Sequence, residues 1–146
     1  MARVLITGAT GPVGSSLAEY LLRQPDVELA VFRRWRSDPR ALARVQSQIT
    51  FFEGDIEDAF AVGDAVAQAH PDYIFHLAAQ SYPSASWGAP VATMRANVEG
   101  TINLLEAVRR HAPAARVHIA GSSAQYGVVT VRHQQSGPRA VGVAVF

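Results

Sequence analysis

The sequence predicts an α/β domain, a partial doubly wound fold of five parallel strands in the order 3-2-1-4-5. Three observations predict it. The apolar run Val4-Leu5-Ile6 feeds a glycine turn, Gly8-Ala9-Thr10-Gly11-Pro12-Val13-Gly14, and the turn opens a helix carrying Val13, Leu17 and Leu21. Short runs of β-forming residues then alternate with stretches of helical period, the pattern of β-α-β units and a parallel sheet. Right-handed crossovers between such units give that strand order and gather the loops at the carboxyl ends of the strands.

Each element carries its own signal. Residues 2–7 read as strand and 12–23 as helix, with Pro12 in the first turn, where a missing N–H costs nothing. Residues 27–33, Val-Glu-Leu-Ala-Val-Phe-Arg, form the second strand. Ser37-Asp38-Pro39 starts a helix that runs to about Val45. Ile49-Thr50-Phe51-Phe52 is a short strand rich in β-formers, and 58–69 is a helix with Ala61, Ala65 and Val66 among its apolar positions. Pro71-Asp72 announces the strand Tyr73–Leu77. A long helix from about Pro90 to His111 carries Met94, Val98, Leu105 and Val108 at helical spacing. Arg116 to Ala120 is the fifth strand, ending at Gly121, and no internal repeat is visible.

Composition narrows the classes. A chain of 146 residues, 49% hydrophobic and 17% charged, is one globular domain by length. No apolar run approaches the roughly 18 residues of a membrane span, and no signal-peptide pattern precedes the first strand, so a cytoplasmic chain away from membranes is expected. The absence of cysteine excludes disulfides and thiolate metal sites. His70, His111, His118 and His133 lack ligand spacing, so no metal is expected. A net charge of +1 gives no electrostatic case for nucleic acid. There are thirteen arginines and no lysine, which coding bias explains but which has a consequence for catalysis.

The candidate site gathers where the strands end. Gly8, Gly11 and Gly14 suit a tight turn, a close backbone approach to a ligand and close helix–strand packing. The turn aims N–H groups and the positive end of a helix at one point, which suits a phosphate. Its spacing, G-x-x-G-x-x-G, is one residue wider at the start than the dinucleotide fingerprint. Strand 2 ends in Arg33-Arg34-Trp35-Arg36, with no acid. An acid there would bond the ribose hydroxyls of NAD, whereas arginine suits the 2′-phosphate of NADP. NADP is therefore expected over NAD, against the plain alternative of a solvated basic turn. Asp55 follows strand 3, Ala78-Ala79-Gln80 strand 4 and Ser122-Ser123 strand 5.

Thr7-Gly8-Ala9-Thr10-Gly11-Pro12-Val13-Gly14 resembles the turn of short-chain dehydrogenase/reductases. The likeness is to the extended branch, the NAD-dependent epimerase/dehydratase family that works on nucleotide sugars, and it covers roughly residues 2 to 127. It implies cofactor contacts at Gly8, Thr10, Gly11, Pro12, Val13 and Gly14. Phe32-Arg33-Arg34 is similar to the segment after strand 2 in GDP-mannose 4,6-dehydratases, which use NADP, and so implicates Arg33 and Arg34. Gly54-Asp55-Ile56 resembles the pair contacting adenine, implying Asp55 and Ile56. His76-Leu77-Ala78-Ala79-Gln80-Ser81 resembles the segment beside the nicotinamide ribose, implying Leu77, Ala78, Ala79 and Gln80; His76 itself reads as packed against strand neighbours. Asn97-Val98-Glu99-Gly100-Thr101 resembles the Asn-Val-x-Gly-Thr whose asparagine supports the active-site helix, which adds Asn97. On the bare sequence Asn97 is a core amide with partners. Ser86-Trp87 is similar to a pair in enzymes acting on GDP-sugars.

Gly121-Ser122-Ser123-Ala124-Gln125-Tyr126-Gly127 resembles the segment of the catalytic hydroxyl. That hydroxyl falls on Ser122, whose implied role is to bond the sugar 4-oxygen during hydride transfer. The glutamate that drives loss of water in 4,6-dehydratases is replaced here by Ala124, so reductase or epimerase chemistry is expected over dehydration. The family's Tyr-x-x-x-Lys is missing: Tyr126 is followed four residues on by Thr130, and no lysine is present. Residues 1–127 therefore read as an incomplete NADP-binding Rossmann domain and 128–146 as a divergent tail, as in a truncated or frame-shifted copy of a longer enzyme.

The function expected is the NADP-binding portion of a nucleotide-sugar oxidoreductase, epimerase or dehydratase, without efficient turnover. The likeness is strongest to GDP-mannose 4,6-dehydratases and GDP-4-keto-6-deoxy-mannose reductases. The alternative is a non-enzymatic NADPH-binding regulatory module. An apolar edge at strand 5, covered by Val141–Phe146 or by another copy, makes self-association an expectation as well.

Overall fold

A computed structural model describes residues 1–122. Within them β1 (Ala2–Thr7), β2 (Val27–Arg33), β3 (Ile49–Glu53), β4 (Tyr73–His76) and β5 (Arg116–Ile119) form one sheet in the order β3-β2-β1-β4-β5. All four pairings are parallel. The fold is the expected one. β1 sits at the centre, which explains its unbroken apolar run: a central parallel strand is buried on both faces.

The strand period of two sorts the core into two layers. Leu5, Ala30, Phe32 and Ile74 face α2 (Ala59–Ala69) and the helix that precedes β5, packing on Val62, Val66, Leu104 and Val108. Val4, Ile6, Leu29 and Val31 face the other way, toward Ala18 of α1 (Pro12–Leu21) and Leu42. Leu5, Ile6, Val31 and Ile74 are at most 1% exposed. Truncating such a side chain costs about 2–5 kcal/mol. At the start of α2, Asp58 accepts hydrogen bonds from the amides of Phe60 (2.9 Å) and Ala61 (3.2 Å), a cap that ends the loop after β3.

Three regions depart from the sequence reading. The helix expected over 37–45 is a short 3₁₀ turn, Pro39–Leu42, followed by a second at Gln46–Gln48. Leu42 is its one fully buried anchor while Arg40, Ala41, Ala43 and Arg44 are exposed, too little apolar surface to hold several helical turns. A six-residue helix, α3 (Pro83–Gly88), was not foreseen; it buries no residue and so leaves no periodic signal.

The long helix is α4 (Pro90–Met94), a π-helical turn (Arg95–Glu99) and α5 (Gly100–His111). Its buried residues are Thr93, Asn97, Gly100, Leu104, Ala107 and Val108. Met94 and Leu105, expected among the apolar core positions, are instead 56% and 43% exposed. Gly100 explains the phase: a Cβ there would lie 2.9 Å from the Ile56 side chain, so this face presses closest on the sheet end. Among the described residues no helix is long and apolar enough to cross a membrane.

Candidate functional site

The loops leaving the carboxyl ends of β1 to β4 enclose a cleft of about 490 Å³. This is the place where open α/β sheets bind ligands. Of the residues singled out in the sequence, Gly8, Thr10, Gly11, Arg33 and Arg34 line it. So do Asp55, Ile56, Leu77, Ala78, Ala79 and Gln80. Pro12, Val13 and Gly14 do not line it but form the first turn of α1 immediately behind it. Asn97 stands behind the wall, and Ser122, half-buried, lies beyond the end of β5.

The glycine turn is shaped by its neighbours. Gly8 has φ 77°, and a Cβ on it would meet the Ala78 amide nitrogen at 2.6 Å. A Cβ on Gly14 would meet Ala9 Cα and the Gly8 carbonyl, both at 2.6 Å. Gly11 differs: its nearest atom would be the Gly8 carbonyl at 3.4 Å, ordinary contact. Gly11 caps α1 without a side chain, and the first turn holds no acidic residue. The leading amides of a helix have no carbonyl partner within it, so this end offers donors and positive potential to the cleft.

The arginines are not equivalent. Arg33 lies opposite Glu53 in the β2–β3 register and bonds it at 2.8 Å. Its guanidinium stacks over Phe51 at 4.7 Å, and its buried Nε has no hydrogen-bond partner among the described residues. Arg36 pairs more loosely with Asp55, at 3.6 Å. Arg34 is exposed and makes no ion pair among the described residues. The group the sequence presents as three equal cations is therefore one neutralised, one half-engaged and one available.

The β4 end is held from behind. His76 is 3% exposed, between Thr7 Oγ1 at 2.7 Å from Nδ1 and Thr101 Oγ1 at 3.1 Å from Nε2. Burial lowers its pKa from 6.5 to about 4. Asn97 accepts from the Gln80 amide at 2.7 Å and donates to the Gln80 carbonyl at 3.1 Å, so this side chain clamps the loop after β4 from both sides. Asn97 lies in the π-helical turn, a distortion that recurs at functional sites.

Sequence reading missed part of the wall: Tyr82, Thr93 and Ala96 also line the cleft. Tyr82 stands at the start of α3, Thr93 in α4 and Ala96 in the π-helical turn; neither α3 nor the π-helical turn leaves a signal in composition or spacing. Among the described residues no group of three or more His, Asp or Glu is arranged to hold a metal. Ala124, Tyr126, Thr130 and the tail 128–146, with its Val141–Phe146 segment, lie outside the described residues.

A family model for GDP-mannose 4,6 dehydratase matches residues 5–138, continuing past Gly127. The dTDP-glucose 4,6-dehydratase of Mycolicibacterium smegmatis is 33% identical over 128 residues, covering 86% of this chain and 38% of the relative. The GDP-mannose 4,6-dehydratase of Yersinia enterocolitica is 34% identical over 142 residues, covering 88% of this chain and 37% of the relative. Among solved structures, the UDP-glucose 4-epimerase from Brucella ovis in complex with NAD superposes with a TM-score of 0.78 at 30% identity, covering 89% of this chain and 38% of that one. WbmH of Bordetella bronchiseptica, in complex with NAD⁺, gives 0.75 at 26% identity, covering 90% of this chain and 42% of that one. The chain thus spans a little over a third of the length of the curated relatives it matches.

Proposed function

The chain belongs to the GDP-mannose 4,6 dehydratase family, among nucleotide-sugar epimerases and dehydratases, and on that premise we propose that it is the NADP-binding portion of a nucleotide-sugar oxidoreductase. One observation carries the reading. The cleft meets the uncapped start of α1 at Gly11, the glycine of the turn with room for a Cβ, so its bareness serves a ligand rather than packing. A cleft of about 490 Å³ is also within the range of cofactor sites.

The residues divide the work. Gly11, Pro12, Val13 and Gly14 present the helix start to the pyrophosphate, with Gly8 and Thr10 shaping the turn. Asp55 and Ile56 flank the adenine, and Leu77, Ala78, Ala79 and Gln80 line the nicotinamide ribose, with Asn97 holding Gln80 in place. Relatives solved with NAD make NAD the competing choice. The absence of an acid at the end of β2 favours NADP. Because Glu53 neutralises Arg33, that preference rests on Arg34 and Arg36.

A bound dinucleotide would supply hydride exchange with C4 of a nucleotide-linked sugar, a GDP-sugar by analogy, in a complete enzyme of this kind. Ser122 steadies the sugar 4-oxygen. No lysine is present to pair with a catalytic tyrosine, so these 146 residues bind without efficient turnover. The same lack favours the second reading, an NADPH-binding regulatory module.

Calorimetric titration with NADPH and NADH tests the proposal. Saturable binding favouring NADPH, with the preference lost in Arg34→Ala, is expected. A folded chain that binds neither cofactor overturns the proposal, and a clear NADH preference overturns the NADP assignment.

A further inference from the structure

We propose that His76 is a positioning residue: as its Nε2–H tautomer it joins Thr7 and Thr101 in one directional hydrogen-bond chain that fixes the Ala78–Gln80 wall against Asn97. The proposal deepens the reading of that wall as part of a dinucleotide site.

The tautomer follows from counting protons. Thr101 Oγ1 lies 2.6 Å from the Asn97 carbonyl and donates its single proton there. It can then only accept from His76, so Nε2, 3.1 Å away, carries the hydrogen. A neutral ring leaves Nδ1 as acceptor, 2.7 Å from Thr7 Oγ1. Thr7 donates to it and accepts the Ala78 amide at 3.3 Å.

The chain therefore runs one way: Ala78 N–H to Thr7, Thr7 O–H to His76, His76 N–H to Thr101, Thr101 O–H to Asn97. That last acceptor is the backbone carbonyl of Asn97, whose side chain holds the same wall through both backbone groups of Gln80. The opposite tautomer would set two lone pairs face to face at Thr101 and two hydrogens at Thr7. Linked hydrogen bonds in a low-dielectric interior reinforce one another, so the wall is placed by the set rather than by any single bond.

The surroundings keep the ring neutral. Among the described residues no charged side chain is a partner of the ring, and burial lowers its pKa to about 4. On the neighbouring β5, the His118 ring lies against Phe75, the residue beside His76, at 5.8 Å between centroids. Arg95 and Glu99 of the π-helical turn are exposed. Arg3 and Arg116 stand at the opposite ends of β1 and β5 and are tied to Asp72 and to the face of Tyr73.

Two measurements on the full chain test this. Long-range ¹H–¹⁵N spectra at neutral pH read the tautomer without any mutation; Nε2–H is expected, and an Nδ1–H or charged ring overturns the proposal. Hydrogen exchange then reads the linkage. Thr101→Val is expected to lower the protection of the Ala78 and Gln80 amides about fivefold, the worth of one hydrogen bond, with Thr101→Ser restoring it. Unchanged protection at both amides, or loss spread evenly over β1 and β2, overturns it. A parallel NADPH titration separates the two ideas: a wild-type chain that binds no dinucleotide refutes the cofactor reading, while tautomer and exchange still decide the relay.

Discussion

Replacing glycines 8 and 11 one at a time separates what the fold needs from what a ligand needs. At Gly8, alanine must adopt φ 77°, and its Cβ would sit 2.6 Å from the Ala78 nitrogen and 2.7 Å from the Leu77 carbonyl carbon. Left-handed backbone costs about 1–2 kcal/mol for a residue with a Cβ, and the strand-end backbone has to move as well. Gly8→Ala should therefore lose about 3 kcal/mol, near the top of the usual range for single substitutions. For a chain of this size that is a fall in Tm of roughly 6–12 °C.

Gly11 has φ −78°, which any residue adopts, and its nearest neighbour is 3.4 Å from the Cβ position. Gly11→Ala should stay within about 1 kcal/mol of the parent, the scale of an N-cap change. A methyl group between the helix start and a phosphate removes a charge-assisted hydrogen bond, about 1.5–3 kcal/mol, or roughly 10- to 150-fold in Kd. Thermal unfolding by circular dichroism and NADPH calorimetry on both variants supply the two readings. A Gly11→Ala chain that binds NADPH as tightly as the parent would refute the phosphate role of the turn. A Gly8→Ala chain with unchanged Tm would refute the packing argument.

Other perturbations follow from the same geometry. The folded pKa of His76 lies below its unfolded value, so neutral His76 favours the native state above about pH 6.5, and that contribution is lost as pH falls toward 4. The loss totals roughly 3 kcal/mol, read as the difference in urea stability between parent and His76→Asn across pH 7 to 4; parallel curves would contradict it. Asn97→Ala strands both backbone groups of Gln80 and should cost about 2 kcal/mol in urea unfolding while weakening NADPH binding; Asn97→Asp keeps the acceptor and should recover part of it. Asp58→Ala removes the cap of α2 and should lower stability by about 1 kcal/mol without changing NADPH affinity. Among the described residues no strand pairs with the far side of β5, so sedimentation should show mass rising with concentration, and a monomer throughout would oppose association at that edge.

Much of the architecture was legible because its signals are local. Val4-Leu5-Ile6 announces a central strand by being apolar at every position, and Gly8 and Gly14 announce a turn by what only glycine can do there. Asn97 was legible as a partnered amide because a polar group on a buried helix face must bond something. Non-local features were not. Arg33 reads as a free cation until the parallel register sets Glu53 beside it, twenty residues away. The partners of His76 lie 69 and 25 residues off and become visible only once β1, β4 and α5 meet. The orientations of Met94 and Leu105 were missed because a helical apolar count assumes an unbroken period, and the chain places a π-helical turn between them. The helix at Pro83–Gly88 buries nothing, so no pattern marks it.

The central claim is that the carboxyl edge of this sheet binds a dinucleotide along the glycine turn. Titrating the ¹⁵N-labelled chain with NADPH and following its amide resonances tests that claim most directly. Shifts concentrated at Gly8 to Gly14, Arg34 to Ser37 and Leu77 to Gln80 are the predicted result. Saturable shifts confined to the opposite edge, around Arg3, His70 and Arg116, or none at all in a folded chain, would contradict it.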